Sequence, residues 1–270
     1  MDDIGDIRAF YDDDPQHEDV RLDEHQLEFD ITWRWLMQVL PEQGHILELG
    51  ASTGRYTLPL AERGLCVTAF DLSEKSTEIS RVLAQQAGLE SHIEYVVGDA
   101  RDLACLGDIE YDAVLVMGPL YHLIYAVDRR TVLDQAYQHL KANAPIISAV
   151  ILRLGIMGHM MANLPEWILQ PNEVAWVLRE GRDSPDYPKG RFRAYCARPE
   201  ELAELHEAAG FITEHIAATE PSIGAYDESY NRLQGEMRKA RLDLLFNIST
   251  EPSLLGASRH LLYIGHKPGQ

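Results

Sequence analysis

The chain has 270 residues, 46% of them hydrophobic and 25% charged, which is enough for one α/β domain with a core of ordinary size. Its formal net charge of −19 leaves few basic side chains to neutralise phosphates, so nucleic acids and anionic membranes are not expected partners. Three cysteines without a Cys-x-x-Cys pair, and a start that lacks signal-peptide features, predict a cytoplasmic protein with no metal site.

The first 40 residues are predicted to be a helical segment that precedes the sheet. Ile31, Trp35 and Leu36 recur at helical spacing, which predicts a helix from about Asp23 to Leu40. Pro41 and Gly44 follow this pattern and would end the helix.

Short apolar runs then alternate with helical periodicity, which is typical of a parallel sheet with crossover helices. The helix after the second strand is expected to begin at Ser73 and to bury Ile79, Val82 and Leu83. The predicted strands are His45–Gly50, Cys66–Asp71, Ile93–Gly98, Ala113–Met117, Pro145–Ile151, Phe211–Ala218 and His260–His266.

The end of the first strand carries the strongest functional signal. Gly50 and Gly54 bracket a turn between this strand and a helix, where main-chain N–H groups can approach a ligand without obstruction by Cβ atoms. The Gly-x-Gly-x-x-Gly pattern of dinucleotide sites is absent. Glu48 interrupts the apolar strand, so its carboxylate either meets a cation or accepts hydrogen bonds from neighbouring main chain.

Two further carboxylates follow the second and third strands. Asp71 comes about twenty residues after the glycine turn, where a carboxylate can accept both hydroxyls of a ribose. Asp99 is placed to accept a hydrogen from an adenine amino group, with Ala100 at the edge of the ring. An aspartate at a strand end is also a common turn residue, and the placement alone does not separate nicotinamide from other adenosine cofactors.

These segments, Leu-Glu-Leu-Gly-Ala-Ser-Thr-Gly, Phe-Asp-Leu-Ser and Val-Gly-Asp-Ala, resemble the cofactor motifs of class I S-adenosylmethionine-dependent methyltransferases. The resemblance covers about residues 27–151 and implies a Rossmann-like α/β fold with seven mostly parallel strands, the last one antiparallel. Ser52 stands where the family often has a glycine. The implied cofactor residues are Glu48, Gly50, Ala51, Ser52, Gly54, Asp71, Leu72, Asp99, Ala100, Met117 and Gly118.

Related enzymes often close a segment like residues 1–40 over the cofactor. Arg21 in that segment is expected to pair with the carboxylate of the methionine portion, with an ordinary surface salt bridge as the alternative.

The run Gly-Pro-Leu-Tyr-His-Leu after the fourth strand resembles a subgroup of small-molecule methyltransferases. It lacks the Asn or Asp that nucleic-acid amino-methyltransferases carry at this place. Tyr121 and His122 are therefore expected to contact the acceptor, and His122 is the candidate general base, with a purely structural or cofactor-contacting histidine as the alternative.

Two segments, 153–193 and 225–246, interrupt the alternation and are interpreted as lid insertions over an acceptor site within a single domain of residues 1–270. Arg153, His159 and Tyr226 are their candidate acceptor contacts.

The sequence thus predicts methyl transfer from S-adenosylmethionine to O, N or C of a small molecule by a monomer or homodimer. A nicotinamide-dependent oxidoreductase and a non-catalytic S-adenosylmethionine-binding protein are the alternatives.

Overall fold

The computed structural model describes residues 3–15, 20, 23–185, 193–221 and 227–269. Arg21 and Tyr226, two of the candidate site residues, lie outside this part of the chain. Among the described helices, none combines the length and the apolar character that a membrane span requires.

The described strands form one sheet in the order β3-β2-β1-β4-β5-β8-β7, and the short β6 pairs with the end of β5. Strand β8 is antiparallel to both of its neighbours and the other pairs are parallel. The strands are β1 (His45–Leu49), β2 (Cys66–Asp71), β3 (Ile93–Val97), β4 (Ala113–Val116), β5 (Pro145–Leu152), β6 (Cys196–Ala197), β7 (Ile212–Ala218) and β8 (His260–His266).

This architecture confirms the predicted fold class, and the seven predicted strands agree with the structure to within one residue at each end. The additional strand is β6, which has two residues and is too short to show an alternating pattern in the sequence.

Helices cover both faces of the sheet. Their bounds are α1 (Gly5–Asp13), α2 (Gln26–Val39), α3 (Thr57–Glu62), α4 (Glu74–Ala87), α5 (Pro119–His122), α6 (Ala126–Gln138), α7 (Arg153–Asn163), α8 (Pro171–Glu180), α9 (Pro199–Ala208), α10 (Asp227–Asn231), α11 (Gly235–Asn247) and α12 (Pro252–Leu255).

The two faces of the sheet bury two separate apolar clusters. Because successive side chains of a strand point to opposite faces, Leu47 and Leu49 of β1 join one cluster while Ile46 joins the other. Ile31, Trp35 and Leu36 of α2 pack into the cluster on the Ile46 side, as their helical spacing predicted. Glu48 is two residues after Ile46 and therefore points to the same face of the sheet, so its carboxylate lies on the side that α2 covers.

The buried face of α4 differs from the prediction. Ser73 is the N-cap, as expected, and its side chain accepts a hydrogen bond from the main-chain N–H of Ser76. Val82 and Leu83 are however exposed at 42% and 38%, and the helix buries small and hydroxyl-bearing side chains instead. Only small side chains fit there, because α4 lies directly against the turn that contains Gly54, where Ser80 touches the backbone. The prediction of an apolar buried face was therefore wrong.

Candidate active site

A cavity lies at the carboxyl ends of the central strands, where the turns after β1, β2, β3 and β4 converge. This is the edge at which open α/β sheets bind their ligands. The structure brings most of the predicted site residues together there. The cavity-lining residues among them are Glu48, Gly50, Ala51, Ser52, Asp71, Leu72, Asp99, Ala100, Met117, Gly118, Tyr121 and His122.

The turn after β1 depends on left-handed backbone conformations. Gly50, Ser52 and Gly54 have φ angles of 85°, 48° and 93°. A Cβ atom at Gly50 would lie 2.9 Å from Cδ of Pro119 and 3.1 Å from the main-chain nitrogen of Gly118, so only a glycine lets the turns after β1 and β4 approach this closely. Gly54 does not line the cavity, and a Cβ atom there would collide with Oγ of Ser80. Its role is to let the turn approach α4.

Glu48 is buried in β1, with 1% of its surface exposed, and it lines the cavity. Its carboxylate accepts a hydrogen bond of 2.5 Å from the hydroxyl of Thr57. Burial raises the pKa of Glu48 to about 8, against the effect of this hydrogen bond, and the nearby Asp71 raises it further. Without a bound cation, the carboxyl group of Glu48 is therefore mostly protonated at pH 7.

The carboxylate of Asp71 links the turns after β1 and β2. One oxygen accepts the main-chain N–H of Ser52 and the other accepts that of Ser73, each at 2.8 Å. Burial raises the pKa of Asp71, although these hydrogen bonds oppose the shift. Each carboxylate oxygen has a second lone pair, so Asp71 can still accept hydroxyl groups from a ligand in the cavity.

Asp99 is held by an arginine that the sequence analysis missed. The guanidinium of Arg101 contacts both oxygens of Asp99, with Nε at 3.0 and 2.9 Å, and it also pairs with Asp128 at 3.2 Å. Arg101 is buried, and the hydrogen bonds that it donates to Asp99 are the main cause of its raised pKa. This pairing fixes the direction of the Asp99 carboxylate beside the cavity. The arginine two positions after the aspartate is a local signal that was available in the sequence.

His122 ends α5 and is 7% exposed. Its Nδ1 lies 3.0 Å from the main-chain oxygen of Arg193, and a carbonyl oxygen can only accept, so Nδ1 carries a proton. In the neutral ring, Nε2 then accepts a hydrogen bond of 2.7 Å from the hydroxyl of Tyr11. The neighbouring Tyr121 donates its hydroxyl to the main-chain oxygen of Met117.

The N-terminal helix α1 covers one side of the cavity. Ile4, Ile7 and Tyr11 line it. Asp12, near the end of α1, accepts a hydrogen bond of 2.6 Å from the hydroxyl of Ser73, next to the turn that holds Asp71. Helix α1 thus forms part of the cavity wall, and closure of residues 1–40 over a cofactor stays a prediction.

Arg153 and His159 do not line this cavity. Arg153 is buried and its guanidinium contacts main-chain oxygens of Leu178, Arg179 and Cys196, so it ties together the ends of α7, α8 and β6. His159 is half-buried, its ring centroid lies 6.0 Å from that of His25, and burial lowers its pKa. A direct acceptor contact by either residue has no support in this geometry.

More broadly, no described residue of segments 153–193 and 225–246 belongs to the cavity lining. Within the second segment, α11 packs against α2, and Arg238 of α11 pairs with Asp30 of α2 at 2.7 Å. This packing, beside a core helix, gives α11 a structural function.

The other end of the cavity contains residues that the sequence did not suggest. Glu28 and Thr32 come from α2, Thr219 from the end of β7 and His260 from the start of β8. They are far apart in sequence, and only the antiparallel placement of β8 brings them together. Glu28 did carry a signal, because it is an acidic residue on the face of α2 that the apolar stripe buries.

Residues 46–143, which contain all four turns, match the family model described as a methyltransferase domain. The chain is 33% identical to a putative methyltransferase, YqeM, of Bacillus subtilis over 33% of its own length and 34% of the relative. It is 25% identical to tRNA 5-carboxymethoxyuridine methyltransferase of Escherichia coli, over 63% of this chain and 65% of the relative. It is 30% identical to ubiquinone biosynthesis O-methyltransferase of Roseobacter denitrificans, over 54% and 62%.

The chain thus spans between one third and just under two thirds of the lengths of these relatives.

Solved structures are similar over most of the chain. An S-adenosylmethionine-dependent methyltransferase of Methanosarcina mazei gives a TM-score of 0.60 at 17% identity, over 87% of this chain and 98% of that one. The glycopeptide N-methyltransferase MtfA, solved with S-adenosylhomocysteine, gives 0.55 at 14% identity, over 88% and 89%. At such identities the likeness establishes the fold.

Proposed function

We propose that this protein transfers a methyl group from S-adenosylmethionine to an oxygen, nitrogen or carbon atom of a small molecule and releases S-adenosylhomocysteine. The observation that carries the proposal is the single cavity that the glycine turn after β1 shares with Glu48, Asp71 and Asp99. The methyltransferase-domain match over residues 46–143 supports it.

The residues of the cavity suit an adenosyl cofactor that lacks a pyrophosphate. Gly50 lines the cavity without a side chain, whereas the side chains of Ala51, Ser52 and Thr53 occupy the positions that a pyrophosphate would need. Asp71 would accept the ribose hydroxyls, and Asp99 and Ala100 would contact the adenine. When bound, S-adenosylmethionine supplies a methyl group on a positively charged sulfur.

Glu48 is positioned to respond to that positive charge. It lies on β1 at the start of the turn, and its carboxyl group is protonated at pH 7 mainly because burial penalises the ionised form. A cation in the cavity would reverse this preference, and Glu48 would then stabilise the methionine end of the cofactor as a carboxylate.

His122 and Tyr11 are the candidate residues for proton removal from the acceptor. Both line the cavity, and the hydrogen bond from Tyr11 directs the hydroxyl proton of the tyrosine onto Nε2 of His122. A proton from an acceptor hydroxyl or ammonium would then pass to the oxygen of Tyr11 as the hydroxyl proton of Tyr11 moves to Nε2 of His122. Alignment of the acceptor with the methyl group accounts for the remaining acceleration.

A small acceptor is favoured over RNA by charge. The protein has a formal net charge of −19, and binding to a polyphosphate backbone requires basic surface. The E. coli relative that modifies tRNA makes tRNA the second candidate acceptor, and it has to be assayed beside small molecules.

Calorimetric titration with S-adenosylhomocysteine, NAD and NADP tests the cofactor first. We expect binding of S-adenosylhomocysteine only, and binding of NAD or NADP without any response to S-adenosylhomocysteine would replace the proposal with an oxidoreductase. Incorporation of labelled methyl groups into amines, phenols, carboxylic acids and tRNA that carries 5-carboxymethoxyuridine then tests the reaction. Cofactor binding without any methylated product would favour a non-catalytic binding protein.

A further inference from the structure

A second cavity lies on the face of the sheet that α2 does not cover, between β5, β6, α5, α6 and α9. Its volume is about 280 Å³, whereas one water molecule occupies about 30 Å³ in the liquid, so a small organic molecule fits. Among the described residues, none lines both this cavity and the one at the glycine turn. Most of its wall is apolar and comes from Leu120, Val150, Ala197, Leu202 and Leu205.

Arg129 of α6 brings a positive charge to this wall, although only 6% of the residue is exposed. Within the described part of the chain, the guanidinium has one hydrogen-bond acceptor, the main-chain oxygen of Leu123, which Nη1 contacts at 2.7 Å. Nε is buried and has no acceptor there. The ring centroid of Tyr195 lies 3.5 Å from Cζ of Arg129, so the ring covers one face of the guanidinium. A stacked ring leaves the N–H groups at the edge without an acceptor.

Arg101 shows what such an edge binds elsewhere in this protein. Its Nε and Nη2 contact the carboxylate of Asp99 at 2.9 and 2.6 Å, and the residue is as deeply buried as Arg129. Asp128, the neighbour of Arg129 in sequence, pairs with Arg101 at 3.2 Å. A carboxylate from outside the chain would therefore complete the edge of Arg129 as Asp99 completes that of Arg101.

The other ionisable groups of the wall have their own partners. Glu201 contacts the guanidinium of Arg153 at 3.4 Å. Both ring nitrogens of His206 are hydrogen-bonded, and burial lowers its pKa to about 3, so the imidazole is neutral at pH 7. Glu204 is exposed, so that water screens its charge. Burial lowers the pKa of Arg129, and the more distant carboxylate of Glu201 offsets this only in part.

We propose that this second cavity binds a small apolar carboxylic acid, whose carboxylate accepts hydrogen bonds from the guanidinium of Arg129 and whose hydrocarbon part packs against the apolar wall. A planar guanidinium matches a carboxylate through two parallel N–H···O bonds. Water alone would satisfy the donors but would leave the apolar side chains hydrated. The inference goes beyond the proposed function and does not depend on it, because the site lies outside the methyl-transfer cavity.

The bound acid would lie one short helix away from His122. Leu120 of α5 lines the second cavity, whereas Tyr121 and His122 line the first. The two residues that meet at the guanidinium also hold the main chain on both sides of His122. Arg129 binds the oxygen of Leu123, and the N–H of Tyr195 donates to the oxygen of Tyr121 at 2.6 Å.

The test compares an apolar acid with neutral molecules of the same shape on the full-length protein. Ligand-observed NMR titrations at pH 7, in a buffer free of other carboxylates, measure the dissociation constants of hexanoate, hexanamide and 1-hexanol. We expect hexanoate to bind to the wild type about ten-fold more tightly than either neutral molecule. Acetate should bind more weakly than hexanoate, and equal affinities of the two acids would deny the apolar wall its role.

Substitutions in the wall locate the binding site. In Arg129→Met the preference for hexanoate should disappear, and in Arg129→Lys it should be partly retained, because lysine keeps the charge without the planar fork. Leu205→Phe leaves the guanidinium in place and fills the cavity, so it should abolish hexanoate binding even if Arg129→Met fails to fold. Arg130→Met makes the same replacement at the next, exposed position and should leave hexanoate binding unchanged.

Three results would overturn the assignment. Hexanoate and hexanamide could bind equally to the wild type, or the preference for hexanoate could survive in Arg129→Met. Saturating S-adenosylhomocysteine could also displace hexanoate, which would place the acid in the first cavity. If hexanoate binding depends on Arg129 but S-adenosylhomocysteine does not bind to the wild type, the second site stands and the methyltransferase proposal fails.

Discussion

The hydroxyl of Tyr11 and Nε2 of His122 share a hydrogen bond of 2.7 Å across 111 positions of sequence. It joins the N-terminal helix α1 to α5, which follows β4. Because Nδ1 of His122 is already committed to a main-chain oxygen, Nε2 is the nitrogen that remains for proton transfer, and Tyr11 occupies it. A base role for His122 therefore involves Tyr11 as well.

Substitution of either member of this pair tests the shared role. If proton transfer passes along it, Tyr11→Phe and His122→Ala should each lower kcat by about 100-fold, within the usual range for general acid–base catalysis. The double variant should be no slower than the slower single variant, because the two residues act as one unit. The rate constants are measured with an identified acceptor across pH 5 to 9.

The exposed Tyr125→Phe serves as the matched control and should retain wild-type turnover. Near-normal kcat in His122→Ala, or loss of activity only through a higher KM for the cofactor, would remove the base role and leave His122 as a structural residue.

Asp71 offers a test of cofactor binding that does not depend on the acceptor. In Asp71→Asn, the amide NH₂ would face either the N–H of Ser52 or that of Ser73, so one of these two hydrogen bonds is lost and the other is no longer charge-assisted. We expect the affinity for S-adenosylhomocysteine to fall by about 10- to 100-fold, which corresponds to roughly 1.5–3 kcal/mol. Calorimetric titration measures this loss.

Asp112 supplies the control because it also accepts a main-chain N–H, that of His45 at 2.9 Å, at the opposite edge of the sheet. Asp112→Asn should lower the free energy of unfolding and leave the affinity for S-adenosylhomocysteine unchanged. Equal losses of affinity in the two variants would mean that Asp71 acts only through stability.

The sequence predicted the strands well because a parallel sheet buries continuous apolar runs that end in glycine or aspartate. Glu48, Asp71 and Asp99 could be assigned to one edge because carboxyl ends of parallel strands meet there. The periodicity of α4 was misleading, since the buried face of that helix is set by its approach to Gly54 rather than by apolar burial.

The end of the cavity that Glu28 and His260 line could not be predicted, for a different reason. Glu28 and His260 are brought together by the packing of α2 beside an antiparallel strand that returns from the end of the chain. No local spacing encodes such a contact. The insertions were assigned to the cavity because they interrupt the alternation of strands and helices, and this pattern does not show which way a side chain points. In the structure, the guanidinium of Arg153 contacts main-chain oxygens instead.

Gly98 is required by the ring of Phe70 rather than by its own backbone conformation. A Cβ atom at Gly98 would lie 2.6 Å from Cζ of Phe70. Gly98→Ala should therefore lower the free energy of unfolding by about 1–3 kcal/mol, as overpacking of a tight contact usually does. When Phe70→Leu has already removed the ring, adding Gly98→Ala should lower the free energy of unfolding by less than it does in the wild type. Urea denaturation measures the coupling, and strictly additive losses would contradict the contact.

His206 predicts a loss of stability in acid. It is fully buried, stacks on Tyr263 at 3.6 Å, and burial lowers its pKa to about 3. In the unfolded chain the imidazole of His206 has an ordinary pKa near 6.5, so it is protonated at pH values at which the buried imidazole of the folded state is still neutral. Stability is therefore complete above pH 6.5 and falls as the pH is lowered toward 3.

In His206→Gln this contribution to the acid sensitivity should disappear, although the variant loses the ring stack and is less stable at pH 8. Urea denaturation at pH 8, 6.5 and 5 measures the slope, with His266→Gln as a control for the loss of one histidine. An unchanged slope in His206→Gln would show that other groups cause the acid sensitivity.

Glu48 predicts the opposite pH dependence and connects stability to cofactor binding. Its pKa is about 8 in the folded protein and near 4.5 when exposed. Below pH 4.5 both states are protonated and burial has no electrostatic cost. Between pH 4.5 and 8 the unfolded state has lost its proton and the folded state has kept it, so the free energy of unfolding decreases by about 1.4 kcal/mol for each pH unit of rise. Glu48→Gln, which still accepts the hydrogen bond from Thr57, should remove this decrease and be the more stable protein at pH 8.

If a cationic cofactor ionises Glu48, binding of S-adenosylmethionine to the wild type at pH 7 releases close to one proton, which titrations in buffers of different ionisation enthalpy detect. Glu48→Gln should release none and bind more weakly. Equal proton release by both proteins would assign the titration to another group and deny Glu48 its role at the methionine end of the cavity.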